Sequence, residues 1–167
     1  MKKITIIVLI LIFALSLFAQ VGEVKSKLLK PDNTEATIRI TNIKTEKGRD
    51  YYLLDINDSL KFNVPKGYEF YGFVRTVAKD GLEPDLNVYV NDVLSMLLSV
   101  PTDKSIKYSS EEYSVLSRAK KITLSPKEKD REITFTTTST IPLMVRMYIK
   151  KVAPKLAEDQ DTLKGGK

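Results

Sequence analysis

Leu143-Met144-Val145-Arg146-Met147-Tyr148-Ile149-Lys150 places Leu143, Val145, Met147 and Ile149 at every second position, with Met144, Arg146, Tyr148 and Lys150 between them. A repeat of two sends alternate side chains to opposite faces of an extended chain, whereas a helix needs a repeat of about 3.6 residues. The segment therefore predicts a strand with one face for a core and one wetter face. The same alternation recurs upstream. Ala36, Ile38 and Ile40 alternate with Thr37, Arg39 and Thr41; Tyr52, Leu54 and Ile56 form the next set, followed by Leu60, Phe62 and Val64. Leu86, Val88 and Val90 then alternate with Asn87, Tyr89 and Asn91. Tyr68 to Ala78 is richer on both sides, with Phe70 and Val74 opposite Tyr71, Phe73 and Val77, which predicts a central strand.

Turn residues separate these runs: Lys47-Gly48, Asn57-Asp58, Lys66-Gly67, Asp80-Gly81, Asn91-Asp92, Pro101-Thr102, Ser125-Pro126 and Ser139 to Pro142. Gly, Asn and Asp tolerate the positive φ that tight hairpins require, and Asn91-Asp92 between Val90 and Val93 suits a two-residue loop. About eight to nine short strands at this spacing predict an all-β chain folded as a single antiparallel β-sandwich, immunoglobulin-like or jelly-roll-like, over residues 35–152. One segment competes for a short helix, because Ser109 and Glu112 match the S-x-x-E capping box ahead of Tyr113 and Leu116.

The ends read differently. Lys2 and Lys3 precede the apolar run Ile4 to Phe18, and Ala19 follows it, which is the layout of a signal peptide over residues 1–19. The alternative is an uncleaved membrane anchor, but the run is shorter than the roughly 20 apolar residues that span a bilayer. The expected location is secreted or periplasmic. With the leader gone, the net charge falls from +6 to +4, because Lys2 and Lys3 leave with it. Residues 20–34, with Lys25, Lys27, Lys30, Pro31 and Asp32, read as a solvated lead-in. Residues 153–167 are polar, with Pro154, Gly165 and Gly166, and read as a flexible tail.

Composition excludes much chemistry. The 167 residues contain no His, Cys or Trp. A Ser-His-Asp triad, a Cys-His pair, a thiolate or imidazole metal site and a disulfide framework are all ruled out. A general base would have to be a shifted carboxylate, lysine or tyrosine. Ser117-Arg118-Ala119-Lys120 has S-x-x-K spacing, but Lys44-Thr45 is followed by Glu46 and no S-D-N element is present, so chance explains the match better. Asp55 to Ser59 and Asp80 to Asp85 gather carboxylates, and Asp55 with Asp58, or Asp80 with Asp85, could face a calcium ion. Asp, Asn and Gly are also ordinary turn residues, and no cofactor is expected. Asn57-Asp58-Ser59 is formally a glycosylation sequon. Lys120, Lys121, Lys127, Lys129 and Arg131 are interrupted by Glu128 and Asp130, which describes a solvated edge rather than a nucleic-acid face.

The strand count and compartment resemble those of small β-sandwich accessory modules attached to secreted enzymes. That resemblance implies a non-catalytic module that binds a partner protein or a cell-envelope glycan. Tyr71, Phe73 and Arg75 alternate on one strand face, and with Tyr89 they are the candidate ligand or partner surface. Core packing is the competing role for the same residues. The alternative function is a structural subunit of an envelope assembly joined through its edge strands. A hydrolase using Asp55, Asp58, Asp80 or Asp85 is a third. Contact with a membrane is expected only through an uncleaved N-terminal segment.

Overall fold

The computed structural model describes residues 25–79 and 81–152. The expected signal peptide and tail, and Asp80, lie outside the described residues. The strands are β1 (Lys27–Leu29), β2 (Thr37–Asn42), β3 (Gly48–Leu54), β4 (Leu60–Val64), β5 (Tyr68–Thr76), β6 (Asp85–Val90), β7 (Val93–Ser99), β8 (Tyr108–Ser110), β9 (Lys120–Leu124), β10 (Arg131–Thr136) and β11 (Leu143–Lys151).

They form two antiparallel sheets, one of seven strands in the order β8-β2-β3-β11-β5-β9 with β1 also on β11, and one of four in the order β4-β10-β6-β7. β11 pairs with β5 along its whole length, from Leu143 opposite Thr76 to Lys151 opposite Tyr68. Its other edge is shared by β3 and β1. The core lies between the sheets. Leu143, Val145, Met147 and Ile149 meet Phe70, Val74 and Ile122 from the larger sheet, and Leu60, Phe62, Val88, Ile133 and Phe135 from the smaller. Phe62, Phe70 and Phe135 form a ring cluster with centroids 5.4 to 6.0 Å apart in tilted and edge-on geometry, which favours each pair by about 0.5–1.5 kcal/mol beyond burial.

The all-β sandwich expected from the alternation is what the chain adopts, with eleven strands among the described residues rather than eight to nine. The additional strands have local causes. β1 lies inside the expected lead-in and survives because β11 offers it an unpaired edge beside Lys27 to Leu29. At 109–120 no helix forms: Ser109 pairs with Thr41 in β8, and Ser110 Oγ accepts from the Glu112 amide. The Glu112 amide thus goes to Ser110 rather than to Ser109 of the capping pattern, closing a local turn while the strand edge takes the backbone. Asn91 and Asp92 have φ of 49° and 64°, as a two-residue hairpin loop between β6 and β7 requires.

The segment 101–119 leaves the smaller sheet after buried Val100 and crosses the outer face of the larger one. It is tied down by the amides of Ser117 to Thr76 (2.8 Å) and Ala78 to Val115 (3.0 Å) and by the Ile43 amide to Lys107 (3.0 Å). Its Leu116, Tyr108 and Tyr113 pack with Ile38, Ile40, Tyr51 and Met144 of the sheet in a second apolar cluster.

Candidate functional site

Antiparallel register determines which side chains share the outer face of the seven-stranded sheet. Across β11 and β5, Met144 lies opposite Arg75, Arg146 opposite Phe73, Tyr148 opposite Tyr71 and Lys150 opposite Glu69. Across β5 and β9, Tyr71 faces Thr123 and Phe73 faces Lys121. The 101–119 segment covers one half of this face and leaves the half bearing Tyr71, Phe73, Arg146 and Tyr148 partly exposed.

In the open half the rings of Tyr71 and Tyr148 stack at 5.5 Å with an interplanar angle of 19°. Arg146 Nε donates to the Tyr148 hydroxyl at 2.6 Å, and its Nη1 donates to the Asp50 carbonyl. The guanidinium carbon lies 5.4 Å from the Tyr148 ring centroid and 6.0 Å from that of Tyr51. Arg146 is thus held between two rings by a side-chain and a backbone acceptor, and it in turn holds Tyr148. The surface offers aromatic faces, phenol hydroxyls and a fixed guanidinium, with Lys121 and Thr123 at its margin.

Of the four residues singled out from sequence, Tyr71 and Phe73 sit together here, with Phe73 also packed against the second cluster. Arg75 shares their face but is buried at 5% exposure under the crossing segment. Its Nη1 donates to the Ser117 carbonyl at 2.9 Å and its guanidinium carbon lies 4.0 Å from the centre of the Tyr108 ring, so it clamps the segment rather than presenting itself to a ligand. Tyr89 is on a different sheet, opposite Thr134 and Leu94 on the outer face of the four-stranded one. The four residues therefore do not form one surface. Sequence reasoning missed Tyr148 and Arg146; both stood in the wet set of the 143–150 alternation, but only the β11–β5 register brings them to Tyr71 and Phe73.

The other motifs resolve into structure. Ser117 is fully buried, its hydroxyl accepting from the Thr76 amide and donating to the Arg118 carbonyl, both at 3.0 Å, while Lys120 is exposed on β9. Asp55 and Asp58 flank the turn between β3 and β4, closed by the Asp58 amide to the Asp55 carbonyl at 3.0 Å. Asp85 accepts from the Thr138 hydroxyl at 3.5 Å. Among the described residues no group of three or more acidic side chains converges as metal ligands. Burial raises the pKa of Tyr52 and of Tyr113, with Arg146 opposing the shift at Tyr52 and Asp55 reinforcing it at Tyr113.

A separate feature is β7, which among the described residues is an edge strand paired only with β6. It carries no charged residue, and Val93, Leu94 and Leu97 are 68%, 53% and 65% exposed.

No family model and no curated protein matches this chain. Among solved structures it is similar to the exo-β-1,3-galactanase of Phanerochaete chrysosporium, at 13% identity and TM-score 0.44 over 75% of this chain and 29% of that one. It is also similar to the CBM36-1 domain of a multidomain xylanase from the hindgut metagenome of Trinervitermes trinervoides, at 10% identity and TM-score 0.42 over 77% and 98% of the two chains. A third is the C-terminal CBM6 of LamC, a marine laminarinase from Zobellia galactanivorans, at 10% identity and TM-score 0.42 over 76% and 100%. The chain spans less than a third of the galactanase. The two-sheet architecture stands on its own strand pairing.

Proposed function

We propose that this chain is an exported, non-catalytic β-sandwich module that binds a cell-envelope glycan on the open half of the larger sheet. The observation that carries this reading is the stacked Tyr71–Tyr148 pair with Arg146 locked against it. The apolar C–H face of a sugar ring packs on an aromatic ring, and its hydroxyls take the phenol and guanidinium hydrogen bonds. Because strand register and Arg146 already hold the rings, little conformational entropy is lost on binding.

Affinity electrophoresis of the full chain in envelope polysaccharides tests the reading. Tyr71→Ala and Tyr148→Ala should each weaken retardation by about tenfold, the loss expected when a stacking ring is removed. Tyr89→Ala, on the other sheet, should not. A wild-type chain that no envelope polysaccharide retards would overturn the proposal.

The β7 edge supports a second reading, a structural subunit that joins a neighbouring chain by strand addition. Its observation is the uncharged strand with Val93, Leu94 and Leu97 exposed. Sedimentation at rising concentration should reveal association that Leu97→Lys abolishes; a monomer at every concentration, alone and in envelope extracts, counts against it.

A further inference from the structure

At one end of the sandwich, between the sheets, a groove is lined by the β4–β5 turn, the β9–β10 loop and the end of β11. Its rim is set by backbone pairing. The Gly67 amide donates to Lys127, the Val152 amide to Gly67 and the Asn91 amide to Glu132, at 2.9 to 3.0 Å. The Lys66 amide donates to the Asp130 carboxylate at 2.7 Å. Val90, Pro126 and Val152 give the groove an apolar lining.

Arg131 projects into this end from the first residue of β10. Its partner in register is Val64, and the residues that follow on the same face, Ile133 and Phe135, are core. A strand position that would ordinarily take an aliphatic side chain therefore holds a cation, 6% exposed. Nη2 donates to the Tyr68 carbonyl at 3.2 Å, while the buried Nε has no partner. Among the described residues no carboxylate pairs with it; the ion pairs are Arg39–Asp50 and Lys61–Glu132. A buried cation without a counter-ion is costly, because no acidic group offsets its lost hydration. Burial accordingly lowers the Arg131 pKa.

Lys66, Lys127 and Lys129 line the same groove. Against these four cations stand Glu128 and Asp130, and Asp130 is already engaged by the Lys66 amide. We infer that this groove binds an oxyanion, a carboxylate or a phosphate carried on a ligand with an apolar face, with Arg131 as its under-solvated counter-charge and the lysines as its rim. The bound anion offsets the desolvation of Arg131, and the apolar lining takes the body of the ligand. The site lies apart from the tyrosine surface and does not rest on the glycan reading.

Titration of the isotopically labelled full chain with trigalacturonate, with glycerol phosphate and with neutral galactotriose, at constant ionic strength, tests it by amide chemical shifts. Either anion should move Gly67, Asn91 and the amides from Lys127 to Arg131, and the tighter of the two identifies the source of the charge. Galactotriose should leave them in place. Arg131→Met should weaken binding by about tenfold, as expected for losing a hydrogen bond to a charged group. The double variant Lys127→Ala, Lys129→Ala, on exposed positions, should weaken it by roughly threefold and steepen no other loss; it carries the test if Arg131→Met does not fold. Tyr71→Ala should leave these shifts unchanged, so failure here and failure of the glycan reading register separately. No groove shifts with either anion, or equal affinity in the wild type and the lysine variant, overturns the inference.

Discussion

The guanidinium of Arg75 lies 4.0 Å from the centre of the Tyr108 ring, joining β5, an interior strand of the larger sheet, to the segment that crosses it. The same side chain donates to the Ser117 carbonyl, so one residue holds the covering segment at two points, Tyr108 and Ser117. Arg75→Ala should cost about 2–4 kcal/mol, combining a lost buried hydrogen bond to a charged donor with a desolvated cation–π contact. Tyr108→Leu, which keeps apolar bulk, should cost about 1–2 kcal/mol. Denaturant midpoints check the magnitudes. Hydrogen exchange should show the loss concentrated in residues 105–118, and uniform loss across the chain would contradict the clamp.

Gly72 sits opposite Met147 where β5 and β11 pair. A Cβ there would collide with the Arg146 carbonyl oxygen and with Met147. The first contact is backbone and cannot swing away, so Gly72→Ala should destabilise by about 1–3 kcal/mol, the usual cost of overpacking. It should also disturb the Tyr71–Tyr148 stack one residue along, visible as a change in tyrosine near-ultraviolet dichroism.

Phe135 touches both other rings of the core cluster. Phe135→Ala should cost about 3–5 kcal/mol, and Phe135→Leu clearly less, as thermal unfolding would measure.

Alkaline pH should weaken the fold. Burial raises the pKa of Tyr52 and Tyr113 in the folded chain, so the unfolded chain loses these protons first. Their contribution is fully present below about pH 10, the unfolded value, and is lost as pH rises from there through the raised folded values. Between about pH 5 and 8 stability should be nearly flat, because the chain has no His or Cys to titrate there. Urea midpoints across this range check both parts, and the double variant Tyr52→Phe, Tyr113→Phe should flatten the alkaline limb.

The proposed export makes a covalent prediction. Mass spectrometry of the protein from its host should find an N-terminus at Gln20; an intact Met1 in the membrane fraction would favour the anchor instead.

Much of the fold was legible because its strands are amphipathic. Leu143 to Ile149 and Leu60 to Val64 bury the set that alternation assigns to the core, and Leu86 to Val90 buries Leu86 and Val88 with Val90 half-buried at the end. β1 and β8 were not legible: three residues carry no period, and each exists only because a neighbouring strand presents an edge. β7 was announced only by its hairpin loop at Asn91-Asp92, since a register shift beside Val88 and Tyr89 interrupts its pairing and Val93, Leu94 and Leu97 face solvent while Met96 and Leu98 pack on the core.

The candidate site divides along the same line. Local alternation established that Tyr71, Phe73 and Arg75 share a face, and composition excluded imidazole and thiolate chemistry outright. Neither could say that Arg75 would be covered, that Tyr89 would lie on the other sheet, or that Tyr148 and Arg146 would meet Tyr71 and Phe73. The side-chain repeat of a strand is a property of its own backbone, whereas its neighbours, and what crosses above them, depend on pairings between residues more than sixty positions apart.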